Sequence, residues 1–464
     1  MIVLVSVLAL LIVGCQGGTP TPAPTPGPVT PPATVEPTQP AAEALPLYVA
    51  IIWHQHQPLY YKDPQTGVYQ KPWVRVHATK DYLDMAAMLE QYPGVHVTFN
   101  LTPTLIRQLD DFTSGAKDLY WVMAEKPASQ LTTENKRFIL RRFFDTNRKI
   151  VRRFPRYQEL LQSRGDDLSD EALDAVIARW SEQDFRDLQV LFNLAWTDPD
   201  WLAQAPLKDL VAKGRNFAEA DKQVLFAEQK RIIDQVIPKH KALQDAGQIE
   251  VTMTPFAHPI LPLLYDTKLA RIAMPDVTLP ERFSYPQDAI AQVQLGVQFY
   301  RDHFGRAPRG MWPAEGAVAQ EIVKFVSDAG IRWMASDEEV LAKSLGIGDF
   351  TRDSQETVQE ADTLFRPYNV AFRDNPPVAI IFREHRISDK VGFEYSGMDG
   401  AAAAQDFINR LHLIRQRLIE QGARGPHLVT VLLDGENAWE QFTKEHDAKG
   451  FFHALYKSLS DGAV

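Results

Sequence analysis

The stretch LYVAIIWHQHQP, residues 47–58, carries the pattern that decides the fold. Its first seven residues, Leu47–Trp53, are apolar or aromatic, and the run passes directly into His54 and His56. A short apolar run that ends in polar side chains is typical of a strand buried on both faces of a parallel sheet. The same pattern recurs six times, over Val95–Asn100, Ile249–Thr254, Gly310–Trp312, Ile331–Ser336, Val378–Arg383 and Leu428–Leu433.

Helical patterns separate these runs. Ala317–Ala329 and Ala403–Gln421 each place apolar residues on one stripe and are followed by glycine, which favours a helix that stops there. Alternating strands and helices at this spacing predict a parallel sheet, and seven runs predict an incomplete TIM-like (β/α)7 barrel. Residues 104–245 are too many for one connecting helix, so we expect a mostly helical insertion after the second strand, besides a short helical C-terminus.

The first 46 residues do not fit a globular core. Residues 1–15 read as a secretory signal whose apolar run is short for a membrane span and ends at Cys15, the one cysteine of the chain. The position of Cys15 resembles a bacterial lipobox, in which the cysteine carries the lipid. Residues 16–46 are rich in Pro and Thr and predict a disordered, extended linker. We therefore expect a globular domain over 47–464, held outside the cytoplasm by a lipid anchor in the cell membrane, or else secreted.

The composition narrows the class of ligand. The chain has 464 residues and a formal net charge of −10, which argues against nucleic acid because phosphates attract a basic face. A single cysteine excludes an intramolecular disulfide and a thiolate metal cluster. A neutral ligand such as a sugar is compatible with this balance.

Polar and acidic residues follow each predicted strand, at the end where barrels of this kind carry their chemistry. Two carboxylates flanked by aromatic rings and imidazoles are the groups that glycoside hydrolysis needs, one to protonate the leaving oxygen and one to attack. The residues that we expect at this rim are His54, His56, His258, Trp312, Glu315, Asp337, His385, Asp434, Glu436 and Trp439. Of the first two histidines we expect only one to point into the mouth, and we favour His56.

Several segments together resemble glycoside hydrolase family 57, in particular its amylopullulanase and α-amylase-like members. Four of them are similar, in the right order, to the family's first four motifs: HQHQP (54–58), GQIEVTMTPFAHPILPLL (247–264), GMWPAEGAV (310–318) and VLLDGENAWE (431–440). WVRVHATKDY (73–82) and FREHRISDKVGF (382–393) also look like segments of these members. The resemblance covers nearly the whole predicted globular part.

The resemblance implies a retaining enzyme that hydrolyses or transfers α-linked glucans such as starch, pullulan or maltooligosaccharides, without an essential cofactor or metal. By position, Glu315 becomes the nucleophile and Asp434 the acid/base. His54, His56, His258, Trp312, Asp337, His385, Glu436 and Trp439 become residues that line the substrate cavity. Hydrolysis and transfer share one glycosyl-enzyme intermediate, so the sequence leaves that choice open, as it does the choice between α-1,4 and α-1,6 linkages.

Two other functions stay open. Family members usually continue into a helical segment with a fifth motif, whereas Val464 lies about 30 residues after Asp434 and no fifth motif is visible. An incomplete substrate cleft would suit a non-catalytic, glucan-binding surface lipoprotein. A metal-dependent polysaccharide hydrolase or deacetylase is the second alternative, with His56, His258, His385 and Asp434 as ligands.

Overall fold

The computed structural model describes residues 46–462 except 437, 438, 443 and 445. The predicted signal, with Cys15, and all of the predicted linker but its last residue lie outside the described residues. One sheet joins the strands β1 Leu47–Gln55, β2 Val97–Leu101, β3 Ile249–Met253, β4 Gly310–Met311, β5 Trp333–Asp337, β6 Tyr368–Val370, β7 Val378–Arg383 and β8 His427–Asp434.

The sheet closes into a barrel. Parallel pairs run from β1 through β2, β3 and β4 to β5, from β5 to β7, and from β7 through β8 back to β1. The predicted seven-stranded (β/α)7 barrel is therefore confirmed. The additional strand, β6, lies antiparallel on the first half of β7, so that β8 pairs with β7 only at Arg383 and Thr430.

Helices cover the outside of the barrel because each presents an apolar stripe to it. In the helix Gly400–Glu420, Phe407, Leu411 and Leu418 are buried against the strands, and the Asp399 side chain caps the first turn. The helices that follow β3, β4, β5 and β7, or that close the chain, span Leu261–Tyr265, Ala270–Ala273, Pro286–Phe304, Gln320–Asp328, Glu338–Leu345, Ala361–Leu364, His385–Asp389, Gly400–Glu420 and Lys449–Ser460.

The segment between β2 and β3 is helical, as expected, and builds an apolar core of its own. Trp121, Trp180 and Trp196 are buried in that core. The α-helices from the end of β1 to the start of β3 span Trp73–His77, Leu83–Met88, Pro103–Thr113, Leu119–Glu125, Thr133–Arg142, Arg148–Val151, Pro155–Arg164, Asp170–Arg179, Glu182–Ala195, Pro199–Leu202, Leu207–Lys213 and Glu219–Asp245.

Shorter helical turns complete the connections. Two π-helical turns span Ala78–Tyr82 and Lys390–Glu394. The 3-10 turns span Leu89–Gln91, Ala128–Gln130, Thr267–Leu269, Ala314–Gly316, Tyr395–Gly397 and Trp439–Gln441. None of the described helices combines the length and the apolar character that a membrane span requires.

Candidate active site

The register of the strands around β1 brings three polar residues to one level. His54 is paired with Asn100 on β2 and with Asp434 on β8. All three lie at the carboxyl ends of parallel strands, the end at which barrels of this kind carry their reactive groups. The backbone pairing therefore places the predicted acid/base beside the predicted histidines before any side chain is considered.

A chain of hydrogen bonds fixes the ring of His54. Its Nδ1 lies 2.6 Å from Oδ1 of Asn100, whose amide Nδ2 donates to the Thr252 hydroxyl at 2.9 Å. Since that donation turns the amide oxygen toward His54, Nδ1 carries the ring proton. Burial, with the nearby His56 and His258, lowers the pKa of His54 well below its usual value. His54 is thus a neutral imidazole with Nε2 as its acceptor.

Three imidazoles form one cluster. The rings of His54 and His56 stack with centroids 4.6 Å apart and planes 11° apart, and His258 lies 5.2 Å from His54 and 5.5 Å from His56. The two rings lie on the same side of the chain, as residues two apart along a strand do, but His54 is 4% exposed and His56 is 28% exposed. Burial, together with the charge of His56, lowers the pKa of His258 to about 4.

His56 is the charged member of the cluster. Its Nδ1 lies 3.0 Å from Oε1 of Glu436 and 3.8 Å from Oδ1 of Asp434, and its backbone N–H donates to Glu436 at 2.9 Å. Burial works against a proton on the ring, but the hydrogen bond and charge of Glu436, with the charges of Asp434 and Glu315, outweigh it and raise the pKa of His56 to about 9. At neutral pH the ring is an imidazolium with two N–H donors.

Glu315 sits on a strained turn after β4. Its backbone is left-handed, with φ 58° and ψ 21°, which is uncommon for a residue with a side chain. Gly316 is also left-handed, and its carbonyl accepts a hydrogen bond from the Ser336 hydroxyl at 2.7 Å. A non-glycine residue held in this region is a mark of functional turns. The turn leaves the Glu315 side chain exposed between two buried neighbours.

Glu315 and Asp434 face one cavity of about 480 Å3. That volume lies in the range of small-molecule sites. The residues that line it are Trp312, Glu315, Asp337, Arg383, Ser388, Gly392, Phe393, Leu432, Leu433, Asp434 and Gln441. The structure thus brings both predicted catalytic carboxylates, Trp312 and Asp337 to one opening.

Asp337 has two roles at the end of β5. Its side chain caps the next helix by accepting from the backbone N–H of Glu339 at 3.1 Å, and its other oxygen lies 3.2 Å from Nη1 of Arg383. His385 lies near it but lines a second cavity of about 200 Å3. Nε2 of His385 is 2.9 Å from Asp389, so this histidine belongs to an ion-pair network beside the larger cavity.

Trp439 and Glu436 lie behind the cavity surface. Trp439 is 2% exposed, packs edge-on against Trp53 and donates from its indole N–H to the carbonyl of Gly435 at 2.7 Å. Glu436 is 1% exposed and reaches the site through His56. Burial raises the pKa of Glu436, and the hydrogen bond from His56 works in the opposite direction. These two residues support the site from inside the fold.

Two groups of described side chains could hold a cation: Asp337, Glu339 and His385 form one, and His54, His56 and Asp434 form the other. Ligand atoms of His54, His56 and Asp434 lie within 4.8 Å of one another. Within the described part of the chain, His258 and His385 do not join this group, although the metal-dependent hypothesis needs them. The four ligands of the metal-dependent hypothesis therefore do not meet at one point among the described residues.

The sequence left several lining residues unassigned, and Phe393 is one of them. Phe393 is 79% exposed and lines the cavity with Glu315 and Asp434. Its segment, FREHRISDKVGF, was noticed only as part of the family resemblance. A large apolar side chain after a strand end, outside any helical stripe, is the signal that could have singled it out.

The chain is similar to several known proteins. Over 100 residues the chain is 29% identical to α-amylase 1 of Dictyoglomus thermophilum, a segment that covers 22% of this chain and 12% of that enzyme. Among solved structures, the family 57-type branching enzyme of Pyrococcus horikoshii is similar over 89% of this chain and 68% of that one, with a TM-score of 0.48 and 16% identity. An α-amylase of Thermotoga maritima is similar over 88% and 71%, with a TM-score of 0.48 and 13% identity.

The sequence profile of glycosyl hydrolase family 57 matches residues 50–464. This range begins inside β1 and includes all the later strands of the barrel and every residue of the candidate site. The chain belongs to glycosyl hydrolase family 57.

Proposed function

We propose that the protein is a retaining glycoside hydrolase or transglycosylase that acts on α-linked glucans. The observation that carries this proposal is the shared cavity of Glu315 and Asp434, which reach it from the ends of β4 and β8. Two carboxylates at one opening are the groups that cleave a glycosidic bond without a cofactor.

The proposed reaction proceeds in two displacements. The Glu315 carboxylate attacks the anomeric carbon while Asp434 gives a proton to the departing glycosidic oxygen, which leaves as an alcohol. A covalent glycosyl ester on Glu315 results. Asp434 then takes a proton from water or from a sugar hydroxyl, whose oxygen attacks the same carbon and releases Glu315. Water gives hydrolysis, and a sugar gives transfer.

The histidines support the substrate in this proposal. The imidazolium of His56 donates a hydrogen bond to a substrate hydroxyl beside Asp434, and Nε2 of neutral His54 accepts one. Trp312 lines the cavity, lies 6.3 Å from the ring of His54 and supplies an apolar face. A neutral, hydroxyl-rich substrate matches this mixture of donors, acceptors and rings.

The test is product formation from amylose, pullulan and maltooligosaccharides, followed by chromatography. Glu315→Ala and Asp434→Asn should each lower the rate by about a hundredfold or more. Glu171→Gln, a change at an exposed carboxylate in the helix Asp170–Arg179, outside the cavity lining, is the matched control and should keep the wild-type rate. A folded wild type that converts none of these glucans would refute the enzyme proposal and favour the glucan-binding alternative.

We also propose that Cys15 carries a lipid that holds the protein at the outer face of the cell membrane. The apolar run before Cys15 and the Pro- and Thr-rich stretch after it support this. Incorporation of labelled palmitate into wild type but not into Cys15→Ala would agree with the proposal. Equal label in both would contradict it.

A further inference from the structure

Phe393 is a large apolar side chain that stays open to solvent inside the candidate active site. It is 79% exposed although it lines the cavity that holds Glu315 and Asp434. A single exposed ring on a protein surface needs no explanation. A ring exposed in a cavity with two carboxylates does, since small-molecule sites combine apolar faces with a few polar groups.

The backbone that carries Phe393 is fixed on both sides. Just before it, Asp389 accepts from Nη2 of Arg383 at 2.5 Å, which joins this turn to the end of β7. Within the turn, Val391 is fully buried, and Nζ of Lys390 lies 2.8 Å from Glu394. The turn is π-helical, a geometry that occurs frequently at functional sites. The ring is therefore presented by a rigid support.

Charged groups share the cavity with the ring. Arg383 and Asp337 both line it and are joined by the 3.2 Å contact between Nη1 and Oδ2. Both side chains are partly accessible, at 15% and 28%. A pyranose has apolar C–H faces and a girdle of hydroxyls, so it needs a flat ring for its face and a donor and acceptor pair for its edge. Phe393, Arg383 and Asp337 supply these.

We propose that Phe393 is the stacking platform of a glucosyl subsite, next to the reacting carboxylates, that Arg383 and Asp337 complete. The ligand class is one pyranose unit of a neutral glucan chain. This inference rests on the proposed function, and it names a residue that determines how firmly the chain is held rather than one that reacts.

The experiment measures binding without turnover. In protein that carries Glu315→Gln, the affinity for a series of maltooligosaccharides is measured by calorimetry, with and without Phe393→Ala, Phe393→Leu or Phe393→Trp. Loss of the ring should lower the affinity for the longer maltooligosaccharides by about tenfold or more, both in Phe393→Ala and in Phe393→Leu. The reason is that an apolar face of the sugar is returned to water. Trp keeps a flat face and should restore binding. Tyr48→Ala is the control. It removes an exposed ring at the start of β1, away from the active site, and should leave the affinity unchanged.

The outcomes separate the two proposals. If the Glu315→Gln parent binds maltooligosaccharides and Phe393→Ala binds them equally well, the subsite is refuted and the proposed function stands. If the parent binds none of them, the α-glucan proposal fails and the subsite fails with it. If Phe393→Leu keeps the full affinity, the volume of an apolar side chain and not a flat ring face holds the sugar. The stacking role of Phe393 is then refuted.

Discussion

Replacing Glu436 with glutamine should release the proton that His56 holds at neutral pH. Glu436 is 1% exposed, and its Oε1 lies 3.0 Å from Nδ1 of His56. Its hydrogen bond and charge are the largest of the effects that raise the pKa of His56 from 6.5 to about 9 against burial. In the variant, Asp434 at 3.8 Å is left as the nearest carboxylate. We expect the pKa of His56 to fall toward 6.5.

The free energy of unfolding should change with the pKa of His56. A rise in pKa from 6.5 to about 9 corresponds to about 3 kcal/mol in favour of the protonated folded state. Because the folded pKa lies above the unfolded one, this stabilisation is complete below pH 6.5 and is lost as the pH rises through 9. Burial also raises the pKa of Glu436, so the pair stabilises the fold by less than this figure.

Two measurements check the reasoning. Titration of the labelled histidine rings by NMR gives the pKa of His56, and urea unfolding at pH 6.5 and pH 9 gives the change in free energy of unfolding. Wild type should lose stability between these pH values, and Glu436→Gln should lose less. Asp110→Asn removes the carboxylate 2.8 Å from His303 and should leave His56 unchanged. The reasoning is refuted if His56 titrates near 6.5 in wild type.

Three further changes test the support of the site. Gly316→Ala adds a Cβ at φ 65°, 3.0 Å from the nearest ring atom of Trp312. Urea unfolding should show a free energy of unfolding lower by about 1 kcal/mol or more. Gly94→Ala is the control, because its Cβ meets open space. Arg352→Met leaves the buried Glu338 and Glu384 without their shared cation and should lower the free energy of unfolding by about 3–5 kcal/mol. Arg137→Met breaks a solvent-exposed pair with Asp174 and is the control, which should change the free energy of unfolding little. The pKa of His258 is lowered to about 4 in the fold, so wild type should lose stability as the pH falls from 6.5 to 4. His258→Gln should lose less stability over the same range. Thermal melts at both pH values measure the difference.

The barrel could be predicted from the sequence because each parallel strand is buried on both faces and so reads as a plain apolar run. Ile51–Gln55 of β1 are buried without a break. β6 escaped prediction because it has three residues, none of them buried, and pairs at an edge. The short β4, Gly310–Met311, was nevertheless found, because the motif that follows it marks its end.

The geometry of the site could be predicted only in part. Strand ends give the level at which Asp434 and the histidines meet, because the carboxyl ends of parallel strands share one rim. They do not give side-chain packing across strands. The approach of His258 to His54 and the burial of Trp439 against Trp53 depend on contacts between residues far apart in the chain. Phe393 was missed for the opposite reason, since its exposure is visible only once its neighbours are in place.

The charge balance explains why a histidine stands at the centre of this site. Glu315, Asp434 and the buried Glu436 all act on the ring of His56. Three carboxylates around one imidazole ring repel one another, and the repulsion grows as water is excluded. The imidazolium of His56 is a cation that interacts with all three carboxylates. Its Nδ1 lies 3.0 Å from Glu436 and 3.8 Å from Asp434. The neutral glucan proposed as substrate brings no positive charge to offset these carboxylates. The protein therefore supplies that charge, through His56, where β1 and β8 end.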